Sequence, residues 1–145
     1  MKNALYVDTM IGTVGDGQIE ESHGGGKTYP GACVPGGMVQ LSPDTVSGGD
    51  NGSGYNYCHN TIEGFSFNHM SGIGWYGDLG NIQIMPVTED TDLRSGSNEE
   101  QPFNKGTRGW KSEFSHENEK TRAGYYSVVL DRYNVFAEAT VSEHT

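Results

Sequence analysis

Glycine occupies 22 of the 145 positions and falls in clusters such as "HGGGK" and "GGDNGSG", while no long stretch repeats apolar residues at the i, i+3, i+4, i+7 spacing of an amphipathic helix. Glycine weakens helix and strand interiors and is at home where a chain turns. Such a chain is expected to fold as short strands joined by long irregular loops. In "GNIQIMPV", Gly80 to Val87, the alternation sends Ile82, Ile84 and Pro86 to one face and Asn81, Gln83 and Met85 to the other, which predicts a strand. Val39 to Leu41 reads as a further short strand. Tyr125 to Leu130 and Val135 to Val141, rich in β-branched and aromatic residues and joined by Asp131 to Asn134, predict a hairpin. The expected fold class is all-β, an antiparallel β-sandwich with long Gly-rich loops.

Between these strands the chain is punctuated. Thr13 to Gly37 is broken by Gly and Pro, Gly48 to Gly54 is almost pure turn chemistry, and Thr88 to Gln101 is acidic and reads as a solvated loop. There is no internal repeat. The length suits one domain. The final "VSEHT" closes on neither a turn signal nor a polar tail, so the chain is expected to be cut from something larger.

A formal charge of -10 and a pI near 4.7 argue against nucleic acid or an anionic membrane as partner, because both demand clustered Lys and Arg. No apolar run approaches the roughly 18 residues of a membrane-spanning helix, and "MKNALYVDTM" lacks the apolar core and cleavage site of a signal peptide. Cys33 and Cys58 are expected as two separately buried thiols rather than a disulfide.

Motifs for several chemistries are absent. The histidines at 23, 59, 69, 116 and 144 show no metal-ligand spacing, "HGGGKT" lacks the first glycine of a phosphate loop, and Ser71 in "HMSGIG" sits in no nucleophile elbow. Asp44, Asp50, Glu63 and Asp78 are the acids available for a carboxylate pair, though Asp44 after Pro43 and Asp50 before Asn51 read first as anchors of turns. "GFSFNHMSGIGWYGDLGN", Gly64 to Asn81, is the most unusual stretch. Phe65 and Phe67 alternate with polar residues as the core face of a strand would. Beyond them His69, Trp75 and Tyr76 lie among glycines. Aromatic planes beside hydrogen-bonding groups suit a sugar ring, and the same rings equally suit a plug at the end of the sandwich.

"VDTMIGT" (Val7 to Thr13), "KTYPGACVPGGMVQLSPDT" (Lys27 to Thr45), "SGYNYCHNTIEGFSFNHMSGIGWYGDLGNIQIMP" (Ser53 to Pro86) and "FSHENEKTRAGYYSVVL" (Phe114 to Leu130) occur in that order. Together they resemble the amino-terminal domain of glycoside hydrolase family 92, the α-mannosidases. The resemblance implies that residues 1–145 are part of an amino-terminal β-sandwich whose full protein adds a carboxy-terminal (α/α)6 barrel. It further implies an inverting, exo-acting α-mannosidase, expected to favour α-1,2 linkages, that removes terminal mannose from glycans. The catalytic carboxylates and the Ca²⁺ ligands would lie in that barrel, outside this chain, so no residue here is catalytic or metal-binding by carry-over, and this segment alone is expected to be inactive. Its partners would be a mannose-containing glycan and its own carboxy-terminal domain, in a periplasmic or extracellular setting.

By the same resemblance Asp50, His69, Trp75 and Asp78 form the pocket-facing set: Asp50 and His69 for sugar hydroxyls, Trp75 for packing, Asp78 for anchoring its loop. Three departures bear on that set. Gly36 stands where many members have Phe, Phe67 where they have a first His, and Gly49 where they commonly have a Trp. A stand-alone carbohydrate-binding module is the alternative reading.

Overall fold

The computed structural model describes residues 3–13, 27–45, 53–71, 80–93 and 109–144. The strands are β1 (Ala32–Cys33), β2 (Gln40–Asp44), β3 (Thr61–Ile62), β4 (Gly64–Ser66), β5 (Gln83–Ile84), β6 (Ser112–Glu113), β7 (Lys120–Arg122), β8 (Tyr125–Leu130) and β9 (Val135–Thr140). Every pairing among them is antiparallel. They form a four-stranded sheet in the order β1-β2-β4-β5, a three-stranded sheet β7-β8-β9 and a two-stranded ribbon β3-β6. Apart from short 3-10 turns at Asn3–Tyr6 and His116–Asn118, no helix occurs among the described residues. The all-β sandwich read from the sequence is the fold.

The period of two in "YYSVVLD" builds the core. Tyr126, Val128 and Leu130 are fully buried on one face of β8, opposite the smaller Ala139, Ala137 and Val135 of β9. Across the sandwich the ring of Phe65 in β4 meets Tyr126 edge-on, with centroids 6.4 Å apart. Ala32, Ile62, Phe114 and Tyr133 complete the cluster, and Leu41 and Met85 pack against it. Each fully buried Val, Leu, Ile or Phe side chain contributes roughly 1.5–3 kcal/mol by leaving water, and the alanines less. Tight strand approach needs one glycine in particular. A Cβ on Gly31 would lie 2.2 Å from the Leu41 carbonyl oxygen, so any side chain there would force β1 away from β2.

The predicted hairpin forms as read, with β9 ending at Thr140. Its turn is completed by Asn134 at φ 50°, a left-handed conformation that asparagine tolerates. The strand predicted over Gly80 to Val87 is shorter, covering Gln83–Ile84, and Ile82 and Ile84 share one face with Gln83 and Met85 on the other. Ile82 and Ile84 are exposed while Met85 packs on the core. Ile82 enters the strand in left-handed backbone at φ 54°, and Gln83 beside it turns inward to Asp44. The predicted strand over Val39–Leu41 starts at Gln40 and runs on to Asp44. Phe67 lies past the end of β4 and is only half-buried, so Phe65 alone of that pair is core. Cys33 and Cys58 are free thiols but exposed, not buried, because both stand at the outer ends of turns and a short edge strand.

Candidate functional site

Two buried polar clusters stand out, and the first takes Ser66 and His69 from the stretch that the sequence singled out. Asp44 ends β2 with no exposed surface. Its Oδ1 lies 2.8 Å from His69 Nε2, and its Oδ2 accepts from Ser66 Oγ at 2.5 Å and from Gln83 Nε2 at 2.8 Å. Three residues, from β4, β5 and the chain after β4, thus converge on the carboxylate that β2 supplies. Gly64 permits this. A Cβ there would stand 2.6 Å from Gln83 Cγ, so only glycine lets the glutamine side chain cross β4.

The ring of His69 is fully committed. Nδ1 lies 2.8 Å from the Gln40 carbonyl oxygen, which can only accept, so Nδ1 carries hydrogen toward it, and Nε2 faces Asp44 Oδ1. Tyr29 flanks the ring with centroids 5.3 Å apart. In this arrangement neither nitrogen is left for a sugar hydroxyl.

The same cluster gathers the chain on both sides of residues 72–79. Gly80 donates its N–H to the Asn68 carbonyl at 3.1 Å, Asn81 donates to Asn68 Oδ1 at 2.7 Å, and Ser66 Oγ reaches the Gly80 carbonyl at 3.2 Å. Ile82, a β-branched residue in left-handed backbone, sits directly after this junction. A conformation of that kind persists only where neighbours over-determine it. Here the bonds of Asn81 and Gln83 do so.

The second cluster surrounds Glu119, whose side chain is likewise completely buried. Tyr126 Oη donates to Oε1 at 2.6 Å, Tyr55 Oη lies 3.0 Å from both carboxylate oxygens, and His116 Nδ1 lies 2.6 Å from Oε2. His116 Nε2 meets the Tyr57 carbonyl at 2.8 Å. The Tyr57 ring stacks on the imidazole at 4.0 Å. Burial first, and then the Glu119 carboxylate, push both the Tyr55 and Tyr126 hydroxyls well above the usual tyrosine range.

Neither cluster suits calcium. That ion takes six to eight oxygen ligands, whereas the oxygens of Asp44 and Glu119 are already filled by hydroxyl, amide and imidazole donors. Among the described residues no group of three or more His, Cys, Asp or Glu side chains is disposed to hold a metal. No helix among them is long and apolar enough to cross a membrane.

Of the four residues expected to face a pocket, His69 is the one described, and it is an internal anchor. Asp50, Trp75 and Asp78 lie outside the described residues. Sequence reasoning took Asp44 for the anchor of a turn, whereas it is a strand residue that ties two stretches of chain. Ser66, Gln83, Tyr55, His116 and Glu119 were not singled out. The signal for Ser66 was available, since the strand "GFS" puts a polar side chain on the face away from Phe65.

A family model described as "Glycosyl hydrolase family 92 N-terminal domain" matches residues 6–145. The fold is similar to a solved structure of the family GH92 α-mannosidase BT3965 from Bacteroides thetaiotaomicron in complex with mannoimidazole. The TM-score is 0.81 at 38% identity, covering 99% of this chain and 17% of that one. It is also similar to the family GH92 inverting mannosidase BT2199 of the same organism, with a TM-score of 0.56 and 28% identity over 88% of this chain and 15% of that one. A protein of Arthroderma benhamiae described as an uncharacterized secreted glycosidase is 31% identical over 140 residues, which are 96% of this chain and 16% of that protein. The chain therefore spans about a sixth of the length of the relatives it matches.

Proposed function

The chain belongs to glycosyl hydrolase family 92, whose amino-terminal domain it represents, and from that premise we propose that it works as the sandwich part of an inverting, exo-acting α-mannosidase. The observation that carries this reading is the match over residues 6–145, supported by the fold shared with a relative bound to mannoimidazole. In this reading the longer protein removes terminal α-linked mannose, with α-1,2 linkages as the favoured substrate. It works outside the cytoplasm, as the description of one relative as secreted supports.

The division of labour follows from chemistry. An inverting glycosidase needs one carboxylic acid to protonate the leaving oxygen and one carboxylate to activate water, roughly 6.5–9.5 Å apart and open to the sugar. Asp44 and Glu119 are buried and saturated with internal donors, which suits neither task. In this reading, as the family resemblance implies, the acid and the base belong to the carboxy-terminal part of the polypeptide, as do the ligands of Ca²⁺, and this segment alone is inactive. What the sandwich supplies is shape. In this reading Asp50 and Trp75 meet the glycan at the pocket rim and Asp78 anchors its loop, while His69 and Asp44 hold the chain on either side of residues 72–79.

Mannose release from α-1,2-, α-1,3-, α-1,4- and α-1,6-linked mannobiosides tests this reading, with this chain and the longer reading-frame product each assayed in Ca²⁺ and in EDTA. The expected result is calcium-dependent release by the longer product, fastest from the α-1,2 substrate, and none by this chain. Binding of the sugars without release by either protein would replace the enzyme with a carbohydrate-binding module.

A further inference from the structure

His116 has more acceptors around it than a neutral ring can serve. Its Nδ1 lies 2.6 Å from Glu119 Oε2, and its Nε2 lies 2.8 Å from the Tyr57 carbonyl oxygen. A carbonyl oxygen can only accept, so Nε2 carries hydrogen toward it, and one further proton must lie between Nδ1 and Oε2 for that short contact to form. Neutral imidazole has a single N–H. The pair therefore holds one proton more than a neutral ring beside a carboxylate.

The groups that face this proton come from three stretches of chain. Glu119 caps the histidine's own 3-10 turn, Tyr55 and Tyr126 donate to Glu119 from the preceding loop and from β8, and the Tyr57 ring stacks on the imidazole. The Phe114 ring meets it edge-on at 5.0 Å. Burial, and then Glu119, hold the two buried tyrosine hydroxyls well above their usual range, so both remain donors at and above neutral pH. Glu117 and Lys120, the charged neighbours in sequence, are exposed.

Loss of the extra proton does not weigh on the two contacts equally. The Glu119 side chain is completely buried, whereas His116 is partly exposed and its bond to Tyr57 lies at the surface. A buried carboxylate deprived of a donor costs far more than a surface carbonyl, which water can serve. A ring with one N–H therefore keeps it on Glu119 and turns a lone pair toward the Tyr57 carbonyl, which it repels. Tyr57 also donates its N–H to the Thr13 carbonyl at 3.1 Å, and Asn56 beside it donates to Thr45 Oγ1 at 2.8 Å. Several stretches of chain thus meet at the contact that the proton controls.

We propose that His116 is a proton-operated latch, closed in acid, where it ties the Tyr57 carbonyl to Glu119, and open in weak alkali, where residues 55–58 come away from the turn at His116–Asn118. The latch is independent of the reaction that the longer protein carries out. His69 supplies the contrast. It bridges the Gln40 carbonyl and Asp44 in the same way, but its side chain is sealed from water, so its contact holds over the same range.

Amide hydrogen exchange of the longer reading-frame product at pH 5 and at pH 9, each corrected for the intrinsic exchange rate at that pH, tests the latch. The expected result is that protection over residues 55–59 falls at least about 10-fold from pH 5 to pH 9, while protection over residues 38–42 changes less than about 3-fold. His116→Asn is expected to lose the fall, and His59→Asn, beside the same stretch, to keep it. Equal protection of residues 55–59 at both pH values overturns the proposal, and so does a fall shared by residues 38–42, which marks general loosening of the fold. A fall retained in His116→Asn or lost in His59→Asn also overturns it, because another group then carries the proton. Where His116→Asn fails to fold, the two stretches of the parent protein decide alone.

Discussion

The Asp44 and Glu119 clusters use one device for two purposes. Each buries a carboxylate completely and bridges it through a histidine to a backbone carbonyl, Gln40 in one and Tyr57 in the other. Around Glu119 the other donors are tyrosines from 64 residues before it and 7 after it, so that cluster ties distant chain together, and its histidine stays 29% exposed. Around Asp44 the donors are a serine, a glutamine and a histidine whose side chain is only 1% exposed. They hold the chain on either side of residues 72–79, which include Trp75 and Asp78. The lesson is that the sealed cluster ties the two ends that flank the stretch proposed to meet the sugar, and the more open one does general scaffolding.

The largest difference between them should appear when a carboxylate is removed. Asp44→Ala strands His69 Nε2, Ser66 Oγ and Gln83 Nε2 in the interior, and breaking a buried pair in this way costs about 3–5 kcal/mol. Glu119→Gln keeps one acceptor oxygen for a tyrosine hydroxyl but turns donors toward His116, for a loss of about 1–3 kcal/mol. Urea midpoints at constant m-value measure both. The reverse order would mean that the tyrosine cluster is the main support of the fold.

Alkali should separate the clusters next. Folding raises the Tyr55 and Tyr126 hydroxyls above their ordinary value of 10.0, so the unfolded chain loses those protons first. Stability is complete below about pH 10 and falls as pH rises beyond it. Tyr126→Phe, which forfeits about 1 kcal/mol at neutral pH, should flatten that fall, whereas Asp44→Asn should leave its slope unchanged. Thermal unfolding between pH 9 and 11 reads both.

The smallest effect concerns His59, whose Nδ1 lies 3.1 Å from the Thr45 carbonyl beside the Asp44 cluster. Burial lowers its pKa from 6.5, so the unfolded chain takes up a proton first and stability declines as pH falls below about 6.5. His59→Asn should remove that component of acid sensitivity, a loss of under about 1 kcal/mol, and a unchanged acid limb in the variant would count against it.

Much of this was legible in the sequence where period two governs. "YYSVVL" and "VFAEAT" announce their strands and their inward faces, because one face of each must be apolar for the sheets to pack. Legibility failed where polar side chains cross between strands. Nothing in the spacing of Asp44, Ser66, His69 and Gln83 tells that they meet, since the meeting depends on the register of three strands and on the missing Cβ of Gly64. Nor does the spacing tell that Ile82 takes left-handed backbone, which the junction with Asn68 sets.

The central claim is that this domain shapes the pocket and leaves the chemistry to the rest of the enzyme, and kcat and KM of Asp50→Asn and Asp78→Asn in the longer product test it most directly. Both variants should keep kcat within about 10-fold of the parent while KM rises, as expected when binding contacts alone are lost. A fall in kcat of roughly a thousand-fold or more in either variant would identify a catalytic carboxylate in this domain and contradict the account.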